Sequence, residues 1–461
     1  MFVSQEELFL KIIQKRTRVI FIFVVFVFLV IVARLWYLQI LKGDYYKKLS
    51  NNNRIRLIKI KTPRGIISDR YGRILSNNTP SFDLALIPNE VPRANIDNLL
   101  NNFKDFVSFN PADVKNRLNQ IPSYHLFKPI IIKEDLNYKE LTFFEINKLD
   151  LPGFLIMLTL KRNYPYGDLA SHLIGYLSKI TEKELETNPF YVRKSFGRDE
   201  FIGRAGIEKI FNNNLIGRHG GRQVEVDAYG RELEILKEVP AIPGNSLFLT
   251  IDINLQEKCR ELLKDKVGVA VVLNPNNGEI FAMEGSPSFD PNMFSRGISK
   301  GQWENLIKHP YHPLENRSIQ CQYSPGSIFK IVTALAGLEE GLISNESCFF
   351  CNGKYKLGGH PYRCWKKEGH GNVNLEKALV QSCDVYFYQL GRKLGIDKIH
   401  KYSKLLGLGE RTGILLKNEK KGLIPNRKWK QRTLNEPWMA GETLSCAIGQ
   451  SFVQVTPLQV A

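Results

Sequence analysis

An unbroken apolar run from Val19 to Ala33 constrains this chain more than any other stretch. Leu35-Trp36-Tyr37-Leu38-Gln39-Ile40-Leu41 extends it past Arg34, so residues 19–41 read as one transmembrane anchor. About 22 residues in helical form cross roughly 30 Å of hydrocarbon. Arg34 lies near the far end, where a long basic side chain reaches the head groups. Trp36 and Tyr37 are aromatics of the kind that settle at that interface. No small-x-small site follows the run, so it is expected to be retained and not cleaved as a signal peptide. Residues 1–18, with Lys11, Lys15, Arg16 and Arg18, then form a short cytoplasmic tail. The chain is expected to be single-pass, with everything after Leu41 an extracytoplasmic body.

A chain of 461 residues leaves that body room for two or three domains. Hydrophobic residues at 43% and charged residues at 24% are those of a globular protein. The net charge of +18 calls for anionic surroundings. No nucleic-acid motif accompanies it, so a membrane surface is the expected neighbour and nucleic acid is not.

Residues 42–243 alternate short apolar stretches with charged turns. Arg54–Ile60 and Phe82–Ile87 alternate as strands do. Between them, Gly65 and Gly72 bracket an Arg/Asp-rich segment within Pro63–Gly72. Residues 110–161 read as mixed helix and strand. Gly203–Glu208 opens a helix, and Gly220-Gly221 reads as a turn before a strand at Val224–Asp227. No repeat and no catalytic constellation appears here. The Arg, Asp and Glu residues are therefore expected to form ion pairs that lock a rigid pedestal. A boundary falls near Pro240-Ala241-Ile242-Pro243-Gly244. Residues 244–461 form the second domain. It opens with a strand at Ser246–Ile251 and a helix at Asn254–Lys266. Strands at Val269–Leu273 and Ile280–Met283 follow, joined by a hairpin turn at Asn274–Gly278. The fold class is α/β (α+β): an antiparallel sheet flanked by helices, carried on an anchored pedestal.

Pro325-Gly326 breaks the chain, and helix formers follow from Ile328 to Ala336. Ser327 is thus placed at a helix N-terminus with Lys330 one turn on, on the same face and within reach of a hydrogen bond. A lysine acts as general base toward a serine when burial or neighbours lower its pKa. The helix terminus favours a developing oxyanion. Alone, Ser-x-x-Lys is a common tetrapeptide, ordinarily an N-cap serine and a solvated lysine. Ser382-Cys383-Asp384, after a helical segment at Leu375–Gln381, adds what such a site needs: a second hydroxyl to relay a proton and a polar partner to hold the lysine.

These stretches together resemble the class B penicillin-binding proteins, and within them the penicillin-binding protein 2 branch. The likeness begins at Arg34–Gln39 and at Pro63-Arg64-Gly65 with Asp69-Arg70 and Gly72. It continues through Gly203, Gly206, Ile207 and Glu208, through Asn274-Pro275, and through Gly278-Glu279. It takes in Pro325-Gly326-Ser327, Lys330 and Ser382-Cys383-Asp384, and ends at Gly449-Gln450 and Val455–Gln459. The resemblance implies a non-catalytic, dimerisation-like pedestal and a serine-type D-Ala-D-Ala transpeptidase/carboxypeptidase. Ser327 is then the acylated nucleophile, Lys330 its base, and Ser382 with Asp384 the second motif. Such an enzyme attacks the penultimate D-Ala of a peptidoglycan stem peptide, releases D-Ala, and passes the acyl group to a neighbouring strand during cell elongation. β-Lactams are implied as inhibitors. A SEDS-type glycan polymerase and the elongation machinery are implied as partners, and the bacterial inner membrane as the location. A second reading on the same resemblance is a non-catalytic scaffold that activates that polymerase.

The family's third motif, Lys-Ser/Thr-Gly, has no counterpart. Arg411-Thr412-Gly413 comes too early, in the turn region of Gly407-Leu408-Gly409. The transpeptidase domain is therefore expected to be incomplete at its C-terminus, and a chain ending at Ala461 to acylate poorly. Separately, Cys351, Cys364, His370 and Cys383 are spaced C-x12-C-x5-H-x12-C. Their number and type suit a tetrahedral structural zinc. Some penicillin-binding protein 2 members resemble this, holding a metal with acidic, His and Cys residues near the second motif. A Cys351–Cys364 disulfide, or a merely buried Cys383, remains open on spacing alone. Cys348 also competes with Cys351 as the first ligand. Cys259, Cys321 and Cys446 read as isolated core thiols and His360 as a loop residue.

Overall fold

The computed structural model of the protein describes residues 5–46, 55–91, 100, 107, 109–119, 129–189, 191, 196–197, 200–226 and 232–461. Of the readings above, Arg54, Asp227, the start of the tail and the 120–128 part of the mixed region lie outside these residues.

Helix α1 (Gln5–Trp36) runs into one π-helical turn, Tyr37–Leu41. Within it, Ile20–Leu41 has a mean hydropathy of 2.7, and none of it packs against the rest of the protein. A helix apolar on every side and unpartnered finds its solvent in lipid. Among the described residues it is the one helix long and apolar enough to cross a membrane.

The pedestal is built from β1 (Ile55–Ile60), β2 (Ile67–Ser68), β3 (Ile74–Leu86), β4 (Ile130–Lys133), β5 (Phe154–Asn163), β6 (Leu177–Lys179) and β7 (Phe201–Gly203). Helix α2 (Gly206–Ile210), β8 (Gly220–Val226) and β9 (Glu232–Val239) complete it. β1, β8 and β9 form one antiparallel sheet. β3 is longer than the expected 82–87, because Asn77–Leu86 pairs residue for residue with β5. Gly220 and Gly221, expected as a turn, lie inside β8 opposite Ile60 and Lys59. A Cβ on Gly220 would come within 2.4 Å of the Val239 carbonyl oxygen, so that glycine serves a close approach and not a bend.

Residues 244–251 turn back onto the pedestal. The strand expected over 246–251 shrinks to β10 (Leu247–Phe248), which pairs in parallel with β2. It is short because Thr250 Oγ1 turns to the Ile280 carbonyl at 2.8 Å and Asp252 already caps the next helix. That helix, α3 (Ile253–Leu262), precedes the antiparallel pair β11 (Gly268–Leu273) and β12 (Ile280–Ser286). The expected hairpin is present, with Gly278 at φ 75°. A core of Ile67, Leu75, Tyr164, Leu173, Ile253 and Met283 joins the two halves. Arg73 ties them again, holding Asp69 at 2.7 Å and Asp252 at 2.6 Å. The second half continues with α4 (Lys330–Glu339), β13 (Phe349–Cys351), β14 (Lys354–Leu357), β15 (His360–Arg363) and β16 (Gly371–Val373). It then runs through α5 (Leu375–Val380), α6 (Asp384–Leu394) and α7 (Ala440–Ala447). Phe329, Tyr386, Phe387, Leu390 and Leu444 form its own core.

His172 sits in the joint between the halves, its Nε2–H donating to the Pro313 carbonyl at 2.7 Å. Burial, helped by Arg317 and Arg260, holds it down to about 4 from 6.5, against the pull of that carbonyl. The folded value lies below the unfolded one, so protonation favours the unfolded chain. This contribution is complete above about pH 6.5 and is lost as pH falls toward 4. A shift of that size corresponds to a loss of up to about 3 kcal/mol. Thermal melts of wild type between pH 7 and pH 4 are expected to show the fall, and His172→Gln a flatter profile. Parallel profiles would refute the assignment.

Candidate active site

Ser327 lies on a 3-10 turn, Gly326–Phe329, and not on the α-helix itself, which begins at Lys330. Gly326 takes φ 61°, a conformation that suits glycine. Its N–H donates to the Gly449 carbonyl at 2.9 Å. Gly449 is in turn tied to its place: a Cβ there would sit 2.4 Å from the Gly326 oxygen. The chain just after α7 thus presses directly on the turn that carries Ser327.

Lys330 is buried, 1% exposed. Its Nζ donates to the Ser382 carbonyl at 2.9 Å, to Ser382 Oγ at 2.9 Å and to Asp384 Oδ1 at 2.7 Å. Ser382 Oγ donates to Ser327 Oγ at 2.9 Å. The expected direct bond between Lys330 and Ser327 is replaced by a relay through Ser382. The cause is electrostatic: a buried ammonium needs a compensating charge, and Asp384 supplies it. Asp384 opens α6, where the helix N-terminus favours a carboxylate. Ser382 has φ 48°, an uncommon conformation for a residue with a side chain. The hydrogen bond from Lys330 to its carbonyl helps to hold it there.

Trp365 was not singled out by sequence. Its backbone N–H donates to Asp384 Oδ2 at 3.1 Å. Its indole Nε1–H is shared between the Gln381 carbonyl at 3.0 Å and the Ser382 carbonyl at 3.1 Å. Both oxygens of Asp384 are therefore engaged, one by Lys330 and one by Trp365. A tryptophan directly after a candidate ligand cysteine and 17 residues before Ser382 offers no local signal of this contact.

Cys351 ends β13, Cys364 follows β15, His370 precedes β16, and Cys383 precedes α6. Their donor atoms all lie within 4.8 Å of one another, and all four side chains are buried. His370 Nδ1 is 3.6 Å from the sulfurs of Cys351 and Cys364. Burial, with Cys351 and Cys364 beside it, pushes the Cys383 thiol up to about 12. Cys348 is exposed and turns to the Glu346 carbonyl, so Cys351 is the member of the cluster. All seven cysteines are free thiols; Cys259 and Cys446 are buried, whereas Cys321 is only half-buried, its sulfur toward Glu315. His360, expected in a loop, opens β15 and is exposed. Thr412, in the Arg411-Thr412-Gly413 turn, is spent on Glu419 at 2.7 Å.

Residues 59–249 match the family described as penicillin-binding protein dimerisation domain, and residues 268–461 the penicillin binding protein transpeptidase domain. A dimerisation domain followed by a transpeptidase domain defines a penicillin-binding transpeptidase, and the Ser-x-x-Lys turn and the Ser-x-Asp turn that faces it both lie in the second of the two. The chain is 36% identical over 462 residues to the peptidoglycan D,D-transpeptidase MrdA of Salmonella typhimurium, spanning 100% of this chain and 73% of that one. It is similar to the penicillin-binding protein PBP2 in complex with MreC from Helicobacter pylori, with a TM-score of 0.77, 31% identity, and 88% of this chain and 75% of that chain covered. A structure described as "Structural coordination of polymerization and crosslinking by a peptidoglycan synthase complex" matches with a TM-score of 0.67 and 29% identity, covering 96% of this chain and 76% of that one. The chain belongs to the penicillin-binding protein 2 family, that of the MrdA peptidoglycan D,D-transpeptidases.

The Trp365 contacts make it a positioning residue for the second motif. Trp365→Phe removes the indole donor and keeps the ring and the backbone bond. It is expected to slow acylation by a labelled penicillin about tenfold, the worth of one hydrogen bond held under strain, with little change in Tm. An unchanged acylation rate would refute the role.

Proposed function

We propose that Ser327, Lys330, Ser382 and Asp384 carry out the family's D,D-transpeptidation on peptidoglycan stem peptides. The observation that carries this is the chain of two hydrogen bonds, each 2.9 Å, from Ser327 through Ser382 to Lys330. Ser327 Oγ attacks the carbonyl carbon of the penultimate D-Ala. Its proton passes to Ser382, which passes its own to Lys330; for that step Lys330 must first give up one of the protons it holds toward Ser382 and Asp384 in the resting site. The peptide C–N bond breaks, and the same path returns a proton to the departing D-Ala. The amine of a neighbouring stem peptide then attacks the acyl-serine ester and loses its proton by the same route, freeing Ser327; water in its place would give the carboxypeptidase outcome. Asp384 keeps Lys330 in line throughout. A β-lactam enters as an acyl donor at the same serine.

The apolar helix supports a single-pass anchor in the bacterial inner membrane, with the body in the periplasm. The likeness to a MreC complex and to a peptidoglycan synthase complex supports membrane partners of the elongation machinery, including a SEDS-type glycan polymerase. The same likeness favours, as a second reading, a scaffold that activates that polymerase.

The buried cluster of Cys351, Cys364, His370 and Cys383 fits a structural zinc: three thiols and an imidazole at one centre, with donors enough to close a tetrahedral site. The ion would fix the turn that carries Ser382 and Asp384. It would take no part in bond making.

In membranes of cells that make this protein, a fluorescent penicillin is expected to label a stable band that Ser327→Ala abolishes. A band that persists in the mutant would overturn the nucleophile. If Ser327→Ala still restores cell shape, the scaffold reading gains over catalysis. Metal analysis after gentle purification is expected to find about one zinc per chain, lost with a fall in Tm in Cys364→Ser. No zinc, together with two thiols closed to alkylation, would favour the disulfide.

A further inference from the structure

In the second half of the protein, the helices Ile396–Leu405 and Arg427–Leu434 flank a groove of about 490 Å³. None of Ser327, Lys330, Ser382 and Asp384 lines it, and no carboxylate does. Its basic residues are His400, Lys404, Lys421, Lys428 and Arg432, with Trp429 on one wall. Two of them are already spent. His400 Nδ1–H donates to the Ile424 carbonyl at 2.9 Å. Lys404 Nζ donates to the Gly409 carbonyl at 2.6 Å and has Glu410 at 3.6 Å. Lys421, Lys428 and Arg432 are exposed, and among the described residues their side chains have neither ion pair nor hydrogen bond.

The helix Arg427–Leu434 shows how uneven the pairing is. Arg427, Lys428, Lys430 and Arg432 are its charged residues, and it contains no acid. The two that stand off the groove have partners: Arg427 meets Asp397 at 3.4 Å, and Lys430 meets Glu442 at 2.5 Å and Glu436 at 3.3 Å. The two that line the groove have none. Lys428 and Arg432 are spaced i, i+4, where like charges repel, and Lys428 lies in the first turn, where the helix end is already positive. Asn426 caps that end by accepting from the Trp429 N–H at 2.7 Å, which brings no negative charge. Lys421 adds a third cation from the segment before the helix.

A lone solvated lysine carries no information. Three unpaired cations gathered in one concavity, two of them against the preference of their own helix, are a local cost that a bound anion removes. Arg432 offers a planar fork and the lysines offer point charges, donors that suit an oxyanion. The groove is wide enough for such a group and part of what it is attached to, and the Trp429 ring, held against Phe452 at 5.3 Å, gives it a fixed apolar wall. We propose that this groove binds a ligand bearing a phosphate or a carboxylate, held by Lys421, Lys428 and Arg432.

The test is isothermal titration of the full chain in detergent with inorganic phosphate and, separately, with acetate, the ionic strength fixed by sodium chloride. Wild type is expected to bind at least one of them saturably, and the one that saturates at lower concentration names the group. Lys428→Gln/Arg432→Gln is expected to lower that affinity about tenfold or more. Removing these charges relieves the i, i+4 repulsion, so the Tm of this variant without anion is expected to equal or exceed that of wild type. Lys421→Gln, which leaves the helix untouched, is expected to weaken binding likewise. Lys264→Gln/Lys417→Gln takes the same charge from exposed lysines outside the groove and is expected to bind as wild type does. No saturable binding of either anion by wild type overturns the proposal, as does equal binding by wild type and the folded groove variants. An equal loss in the groove and control variants also overturns it, and assigns the attraction to the net charge of +18.

Discussion

A buried lysine ammonium organises the catalytic half of this protein. Lys330 is enclosed almost completely, and an enclosed charge is tolerated only where a partner charge and hydrogen bonds replace water. Asp384 and Ser382 provide both, at 2.7 and 2.9 Å. Satisfying Lys330 therefore requires the 382–384 turn to stand against α4, and that turn is what brings a second hydroxyl to Ser327. Trp365 on one side and Gly449 on the other fix that turn and the one that carries Ser327. The arrangement that neutralises the lysine is the arrangement that connects it to the serine.

The pedestal shows the same principle with the signs reversed. Glu208 is enclosed, and burial pushes its carboxyl up, yet Arg64 and Arg162 outweigh that and hold it below its ordinary value. The three residues come from the loop after β1, from β5 and from α2, so one ion cluster pins three separate segments. A carboxylate that stays charged in an apolar setting fixes its neighbours' positions more narrowly than packing alone.

Much of this was legible in the sequence because it is written in local spacing. The anchor is a composition signal. Ser327 with Lys330, and Ser382 with Asp384, are each close in sequence, and their pattern named the family. The Cys/His cluster was legible as four residue types in order, and burial sets Cys351, rather than the exposed Cys348, among them. What escaped depends on distant pairing. The relay through Ser382 joins residues 55 apart, and nothing local to Lys330 says that Asp384 draws its side chain away from Ser327. Trp365 acts largely through its backbone and the edge of its ring. Gly220 was misread because glycine serves close strand approach as well as turns. The strand expected over 246–251 is shorter than its residues suggest because its tail is consumed by Thr250 and by the cap of α3.

The pairing of β10 with β2 has a mechanical side. Leu247 and Phe248 enter the pedestal sheet before the chain departs for α3, and a common apolar core and the Arg73 clamp reinforce the seam. Domains joined by a slack linker swivel independently. These two are stitched through a sheet, so the joint behaves as a weld. A torque applied at the far end of the long β3–β5 ladder then arrives at the half that carries Ser327 as rotation of a stiff lever arm, with little of it absorbed on the way.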